Sequence, residues 1–73
     1  MELIEFKLEK DCPVIGNQLK EVSLPKDCNI VAIVRRGEAI LLHDDTAFNK
    51  DDTILAMIQR RREEEFKKIL FLD

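Results

Sequence analysis

Two consecutive arginines, Arg35 and Arg36, carry the most distinctive chemistry in this chain of 73 residues. They end an apolar run and are followed directly by Gly37. A guanidinium offers a planar set of donors that can bind a phosphate or a carboxylate through two hydrogen bonds. Charges at a hairpin tip also keep a sheet edge soluble. The residues alone favour the solvated tip, and Arg36 fits a turn better than a ligand contact.

Two other polar residues, His43 and Asn29, are candidates for contact with a ligand. His43 precedes Asp44 and Asp45, so it could titrate near neutral pH or contact a ligand base. Asn29 begins a predicted strand and could hydrogen-bond a ligand. Each residue also has a simpler interpretation, as an exposed histidine at a strand end and as an asparagine in a local turn contact.

The remaining clusters of polar residues do not predict a metal or an active site. Four aspartates, at 44, 45, 51 and 52, supply oxygen ligands that suit Ca²⁺ or Mg²⁺. Their spacing is not that of an EF-hand, and Lys50 lies among them, so a solvated loop is the better interpretation. Cys12 and Cys28 have no metal-ligand spacing and predict buried, reduced thiols. Because no nucleophile and base pair stands out, we expect neither an enzyme nor a bound cofactor.

Charge and hydropathy limit the partners that the chain can have. The net charge is −3, and the basic run at 60–62 is cancelled by the glutamates at 63–65, which argues against a nucleic-acid polymer as partner. The longest apolar run covers only residues 30–34, far too few to cross a bilayer. If the chain serves a membrane, we therefore expect it to act from outside the bilayer.

The hydrophobic pattern predicts the order β-α-β-β-β-α, an α+β domain covering residues 1–73. Strands are predicted at 2–9, 29–35, 38–43 and 53–59, and helices at 13–22 and 60–72. The last three strands are expected to form an antiparallel meander in a four-stranded sheet with two helices on one face. A tight turn is expected at Arg36 and Gly37.

The second and fourth strands are apolar on both alternating faces. In the second strand Ile30, Ala32 and Val34 are expected on one face, with Val31 and Ile33 on the other. Two helices can cover only one face of the sheet, so the other face must be covered by a partner or stay partly exposed. A second copy of the chain is the simplest candidate, and the pattern predicts a homodimer that associates through apolar surface.

The order and spacing of several short motifs resemble a known family. The stretch "VIGNQLKEVSLPKDCNIVAIVRRGEAILLHDDTAFNKDDTILAMI" is similar to the TrkA C-terminal domain, the C-lobe of the regulator-of-potassium-conductance module. The matching positions, from the opening through the second strand to the loop and last strand, are Gly16, Leu19, Leu24, Pro25, Ile30 to Arg35, Gly37, Thr46, Phe48 and Asp52. The chain departs from the pattern at Leu42, where the family often has proline, and at Asp51, where it has glycine.

The resemblance implies a regulatory domain of a potassium transport system, acting on the cytoplasmic side of a membrane transporter or channel. Such domains dimerise, and some bind a small anionic ligand, notably cyclic di-AMP, between their subunits. That role assigns Arg35 to a ligand phosphate, with Asn29, His43 and Arg36 as further candidate contacts. The full-length regulators also carry a dinucleotide-binding domain with a glycine-rich loop, which has no counterpart here, so NAD binding is not expected. The alternative function is a structural oligomerisation module without a ligand.

Overall fold

One antiparallel sheet of four strands and one helix form the domain, in a computed structural model that describes residues 1–9 and 11–71. The α+β class is as predicted. The strands are β1 (Glu2–Lys7), β2 (Asn29–Arg35), β3 (Glu38–Ile40) and β4 (Thr53–Ile58), and the helix is α1 (Glu63–Phe71). Single turns of 3-10 helix cover Leu19–Glu21 and Arg60–Arg62. Residue 72, at the predicted end of the last helix, lies outside the described residues.

The strand order is β1-β4-β2-β3, so the predicted meander is wrong. β2 and β3 form a hairpin, but β4 pairs with β2 and not with β3. Interior strands are buried more on both faces than edge strands are. The two most apolar strands, β2 and β4, therefore take the interior positions, and the more polar β1 and β3 form the edges.

The predicted first helix, at 13–22, is also wrong, because this segment forms turns and the 3-10 turn Leu19–Glu21. Gly16 has φ of +92°, a left-handed conformation that interrupts a right-handed helix. The backbone of the segment bonds to the loop at 44–48 instead. The amide of Gly16 donates to the carbonyl of Phe48 at 2.8 Å, and the amide of Leu19 donates to that of Thr46 at 2.9 Å.

The third strand ends at Ile40, three residues earlier than predicted. The chain turns away at His43, whose amide donates to the Thr46 hydroxyl at 2.9 Å. The amide of Thr46 donates back to the carbonyl of His43 at 3.0 Å, which closes the turn. Leu42 packs against the core while Leu41 is 79% exposed, so the chain leaves the sheet edge at this point.

A bulge at Val31 decides which side chains of β2 face the core. Ile30 pairs with Ala56, but Ala32 pairs with Leu55, so Val31 is an extra residue in the ladder. Beyond the bulge the alternation is shifted by one position, and Ile33 is buried with Ile30. The prediction that Ile30, Ala32 and Val34 share a face is therefore wrong.

The core lies between the inner face of the sheet and a layer made of α1 and the loops. The rings of Phe6 and Phe66 lie 5.2 Å apart between their centroids, which joins β1 to α1. Loop residues Leu8, Val14 and Phe48 are fully buried in the same cluster. The core of this small domain is thus completed by loop residues.

The outer face of the sheet is apolar and lies outside this core. Leu55 and Met57 of β4 are only half-buried, and Leu3 of β1 is 59% exposed. Val31, at the bulge, is 42% exposed. The prediction of strands that are apolar on both faces therefore holds for β2 and β4, and the second face is left without a cover by the described residues.

The tight turn predicted at Arg36 and Gly37 is confirmed. Both residues have positive φ, +52° and +79°, as a two-residue type I′ hairpin requires. Gly37 adopts this conformation without strain, whereas arginine at Arg36 is an uncommon choice. Asparagine or glycine is usual at this position of the turn.

We expect Arg36→Asn to stabilise the domain by on the order of 1 kcal/mol, because asparagine tolerates the left-handed conformation better. Urea unfolding followed by circular dichroism measures the change. The matched variant Gly37→Ala should lose a similar amount. A destabilised Arg36→Asn domain would contradict the assigned turn.

Candidate functional site

Arg35 and Asp52 form a largely buried ion pair with two hydrogen bonds at the end of the sheet. The Arg35 Nε and Nη2 atoms donate to the two Asp52 carboxylate oxygens, each at 2.8 Å. Asp52 is 1% exposed and the Arg35 side chain 28% exposed. This is the two-point geometry in which a guanidinium matches a carboxylate. Arg35 therefore binds a carboxylate within its own chain.

The Val31 bulge and the strand register bring the two residues together. Val34 pairs with Thr53, which sets Asp52 opposite Arg35 at the next position of the ladder. The shifted alternation places Arg35 on the same face as the buried Ile33. Without the extra residue, Arg35 would point to the outer face.

The pair also holds the loop that leads into β4. Arg35 Nη2 donates a second hydrogen bond, to the carbonyl of Ala47 at 3.0 Å. Asp52 Oδ2 accepts the amide of Asn49 at 2.8 Å, closing a turn around Asn49 to Asp52. Both partners therefore contact the same loop, and that loop is fixed to β2.

The loop that the ion pair fixes is also bonded to the first turns of the domain. Ala47 forms an isolated bridge with Gln18. The amide of Lys20 donates to the carbonyl of Asp44 at 2.9 Å, and the amide of Phe48 donates to that of Asn17 at 3.0 Å. Fixing the loop therefore also fixes the segment that contains the 3-10 turn.

Asp52 is ionised in spite of its burial. Burial raises the pKa of the Asp52 carboxyl, but the hydrogen bonds from Arg35 and from the Asn49 amide, with the Arg35 charge, outweigh it and hold that pKa below its usual value. The hydrogen bond to Asp52 raises the pKa of Arg35, against the opposing effect of burial. Both groups are charged at neutral pH.

An open cleft of about 470 Å³ lies beside the ion pair at the hairpin tip. It contains both arginines of the predicted site, and only Arg36 of the two is exposed. Three cations and three carboxylates line the cleft together with one amide and one apolar side chain: Arg35, Arg36, Lys50, Glu38, Asp51, Asp52, Asn49 and Ile40. The charges balance, so this cleft in one copy does not select an anion by net charge.

The other two predicted contacts lie elsewhere. Asn29 begins β2 and Arg35 ends it, about 20 Å apart at the rise of an extended strand. Asn29 pairs with Met57 on the outer face, while Arg35 faces the core. His43 is exposed in the turn after β3. A single copy thus brings Arg35 and Arg36 together but leaves Asn29 and His43 apart from them.

Asp52 is the residue of this site that the sequence analysis did not single out by its chemistry. It was grouped with the solvated aspartates, although the family resemblance includes its position. Asp51 supplies the left-handed φ, +71°, at the place where the family has glycine. The signal that could have identified Asp52 is its position one residue before an apolar strand that must pair with the strand of Arg35.

Residues 1–9 and 11–71 lack the features of a metal site and of a membrane-spanning segment. These residues contain no cluster of three or more histidine, cysteine, aspartate or glutamate side chains that could hold a metal ion. Within the same residues, no helix has both the length and the apolar character needed to cross a bilayer. Both cysteines are free thiols and half-buried.

Known proteins match nearly the whole chain. The sequence model described as the TrkA-C domain matches residues 3–70. Two curated relatives, named as Trk system potassium uptake protein TrkA homologs, are 31% identical (Pyrococcus abyssi) and 33% identical (Pyrococcus horikoshii) over 70 residues. These residues are 94% of this chain and 31% of each relative, so the chain spans about a third of their length.

Two further matches have other names. The K(+)/H(+) antiporter NhaP of Alkalimonas amylolytica is 26% identical over 57 residues, which are 78% of this chain and 10% of the antiporter. A solved structure described as an RCK domain with cda superimposes with a TM-score of 0.77 and 25% identity. That match covers 96% of this chain and 99% of the solved chain.

We expect Arg35→Ala to cost about 3–5 kcal/mol of unfolding free energy, because it leaves the buried Asp52 charge without its partner. Arg36→Ala is the matched control, and it should change stability by less than about 0.5 kcal/mol since Arg36 is exposed. Urea unfolding at neutral pH compares the two variants. Equal losses would show that the Arg35–Asp52 pair does not stabilise the fold.

The pH dependence of stability gives a second test of the pair. The folded pKa of Asp52 lies below its unfolded value, so its stabilisation is complete above the unfolded pKa and disappears as the pH falls through the folded pKa. We expect Asp52→Asn to be less stable than the native protein at neutral pH, with the difference shrinking in acid. Unfolding midpoints measured from neutral to acidic pH follow this convergence, and a constant difference would contradict it.

Proposed function

The chain belongs to the TrkA-C domain family, and on that premise we propose that it is a regulatory domain of a potassium transport system. Its role is to bias the gate of a membrane transporter or channel from the cytoplasmic side, peripheral to the membrane. The observation that carries this proposal is the family match over residues 3–70. The relatives named for potassium uptake and for K(+)/H(+) antiport support a potassium-handling partner.

The signal that the domain senses is a small anionic ligand, for which cyclic di-AMP is the first candidate. Support comes from the similarity to the RCK domain described with cda, which extends over 96% of this chain. Asn29, Arg36 and His43 are all exposed and make no side-chain hydrogen bond to the described residues. They are therefore free to contact a ligand.

The ligand lies between two copies of the domain, because one copy does not assemble the proposed contacts. Asn29 and Arg35 lie at opposite ends of β2. In a homodimer, a residue of one copy can complete the site of the other. Arg35 offers the ligand only Nη1, since Nε and Nη2 are bonded to Asp52 and Ala47. Its larger part in this proposal is to position the loop beside the site.

Because Asn29 and Arg35 lie far apart in one copy, a second candidate function is a structural oligomerisation module that binds no ligand. Its supporting observation is the apolar outer face of the sheet, where Leu3 is 59% exposed and Leu55 and Met57 are half-buried. Such a module would associate by aliphatic packing, and its assembly would not respond to a nucleotide.

Calorimetric titration with cyclic di-AMP, paired with light scattering on the same sample, distinguishes the two functions. We expect one nucleotide to bind per two protomers, and Asn29→Ala to weaken binding about fivefold or more because the variant loses the hydrogen bonding of the amide side chain. The control Asp45→Ala, at an exposed loop position, should bind as the native protein does. A dimer that releases no heat with the nucleotide would reject the sensor and leave the structural module.

A further inference from the structure

The cleft at the hairpin tip has two walls, both supplied by one copy of the chain. The hairpin at 36–40 forms one wall, and the loop at 49–51 forms the other. The ion pair joins the two walls, because Arg35 precedes the hairpin turn and Asp52 follows the loop. Its volume of about 470 Å³ lies in the range of sites that bind small molecules.

Each wall carries one exposed cation and one exposed anion. The hairpin supplies Arg36 and Glu38, and the loop supplies Lys50 and Asp51. None of these four side chains forms an ion pair or a hydrogen bond with the described residues. The facing walls therefore hold complementary charges, and no direct ion pair crosses the cleft.

The backbone gives a second indication that these charges serve a site. Arg36 and Asp51 have φ of +52° and +71°, a left-handed conformation that glycine adopts more easily. Non-glycine residues in strained conformations cluster at binding sites and switch regions. One such residue of each sign lines the cleft, on opposite walls, and a charged side chain in this conformation indicates a use for its charge.

The charge pattern selects a ligand that carries both signs. A purely anionic or purely cationic ligand would meet one attractive and one repulsive charge on each wall. A zwitterion satisfies all four, because its carboxylate accepts hydrogen bonds from Arg36 and Lys50. Its ammonium group donates to the carboxylates of Glu38 and Asp51. Opposite charges on each wall are only one or two residues apart, so they suit a solute whose own charges are separated by a few atoms.

We propose that this cleft binds a small zwitterion, a free α-amino acid, within one copy of the domain. The side-chain amide of Asn49 is exposed and makes no hydrogen bond to the described residues, so it adds a further donor and acceptor. Ile40 is the lining residue that an aliphatic part of the ligand contacts. The site goes beyond the proposed function and does not depend on the homodimer.

Titration of the ¹⁵N-labelled domain with L-alanine, followed by NMR chemical shifts, tests the site. Alanine carries the two charged groups that α-amino acids share, and we expect saturable shifts at the amides of 36–38 and 50–51. L-lactate replaces the ammonium group by a hydroxyl, and L-alaninamide replaces the carboxylate by an amide. Both should bind about fivefold more weakly or worse. The absence of saturable shifts with alanine, or equal binding of lactate, would overturn the zwitterion site.

A double variant tests the residues that hold the ammonium group. Glu38→Gln with Asp51→Asn removes both carboxylates, and asparagine tolerates the left-handed conformation at 51. We expect the dissociation constant for alanine to rise about fivefold or more. Asp44→Asn with Asp45→Asn makes the same charge change at exposed loop positions and should bind alanine as the native protein does. Circular dichroism verifies that both variants are folded, and equal affinities would contradict the assignment.

The outcomes separate this inference from the proposed function. Arg36 is a proposed contact of both ligands, so the distinction rests on Glu38 and Asp51, which an anionic nucleotide does not need. Their double variant should bind cyclic di-AMP at least as tightly as the native protein does. A native chain that binds alanine but no nucleotide would reject the sensor and keep the cleft. A chain that binds the nucleotide but not alanine, or a double variant that loses both ligands, would overturn the cleft.

Discussion

The hydrogen-bonded pair of Arg35 and Asp52 is the interaction on which the second half of this domain depends. It joins the end of β2 to the start of β4, and it fixes the loop between β3 and β4 through the Ala47 carbonyl and the Asn49 amide. A chain of 73 residues has little buried surface with which to order a long loop. Two charged groups, each satisfied by the other and by the loop backbone, supply that order.

The Val31 bulge is the geometric condition for the pair. One additional residue shifts the alternation of β2, so that Ile33 stays in the core and Arg35 follows it on the same side. A charged residue that a regular strand would expose is thereby turned inward. Its cost of burial is offset because Asp52 lies opposite in the register. The loop at 44–48 then satisfies the backbone of the first turns, which explains why this segment does not need to be helical.

The α+β class, the four strands, the last helix and the Arg36–Gly37 turn could be predicted, since each depends on local periodicity or turn chemistry. The first helix and the meander could not, because both depend on distant pairing. Gly16 and Leu19 bond to a loop some thirty residues away, and β4 takes its place beside β2 only when the whole sheet has formed. The bulge at Val31 also could not be recognised from the local sequence. Residues 30–34 are all apolar, so either alternation would place apolar side chains in the core.

Of the four candidate residues named from the sequence, only Arg35 and Arg36 line the cleft, and neither the cleft nor the role of Asp52 could be predicted. The residues alone favoured a solvated hairpin tip and the family resemblance assigned Arg35 to a ligand phosphate, whereas the structure gives that guanidinium an internal carboxylate, Asp52. The same two hydrogen bonds would satisfy either partner, so residue type alone could not distinguish them. Position in the register does distinguish them, because Asp52 lies one step before Thr53 and therefore opposite Arg35. Because Arg35 is paired with Asp52, it acts on a neighbouring site chiefly through the loop that it holds. A ligand at the hairpin would therefore depend on Arg36 and Lys50, the other two cations of the cleft, for positive charge.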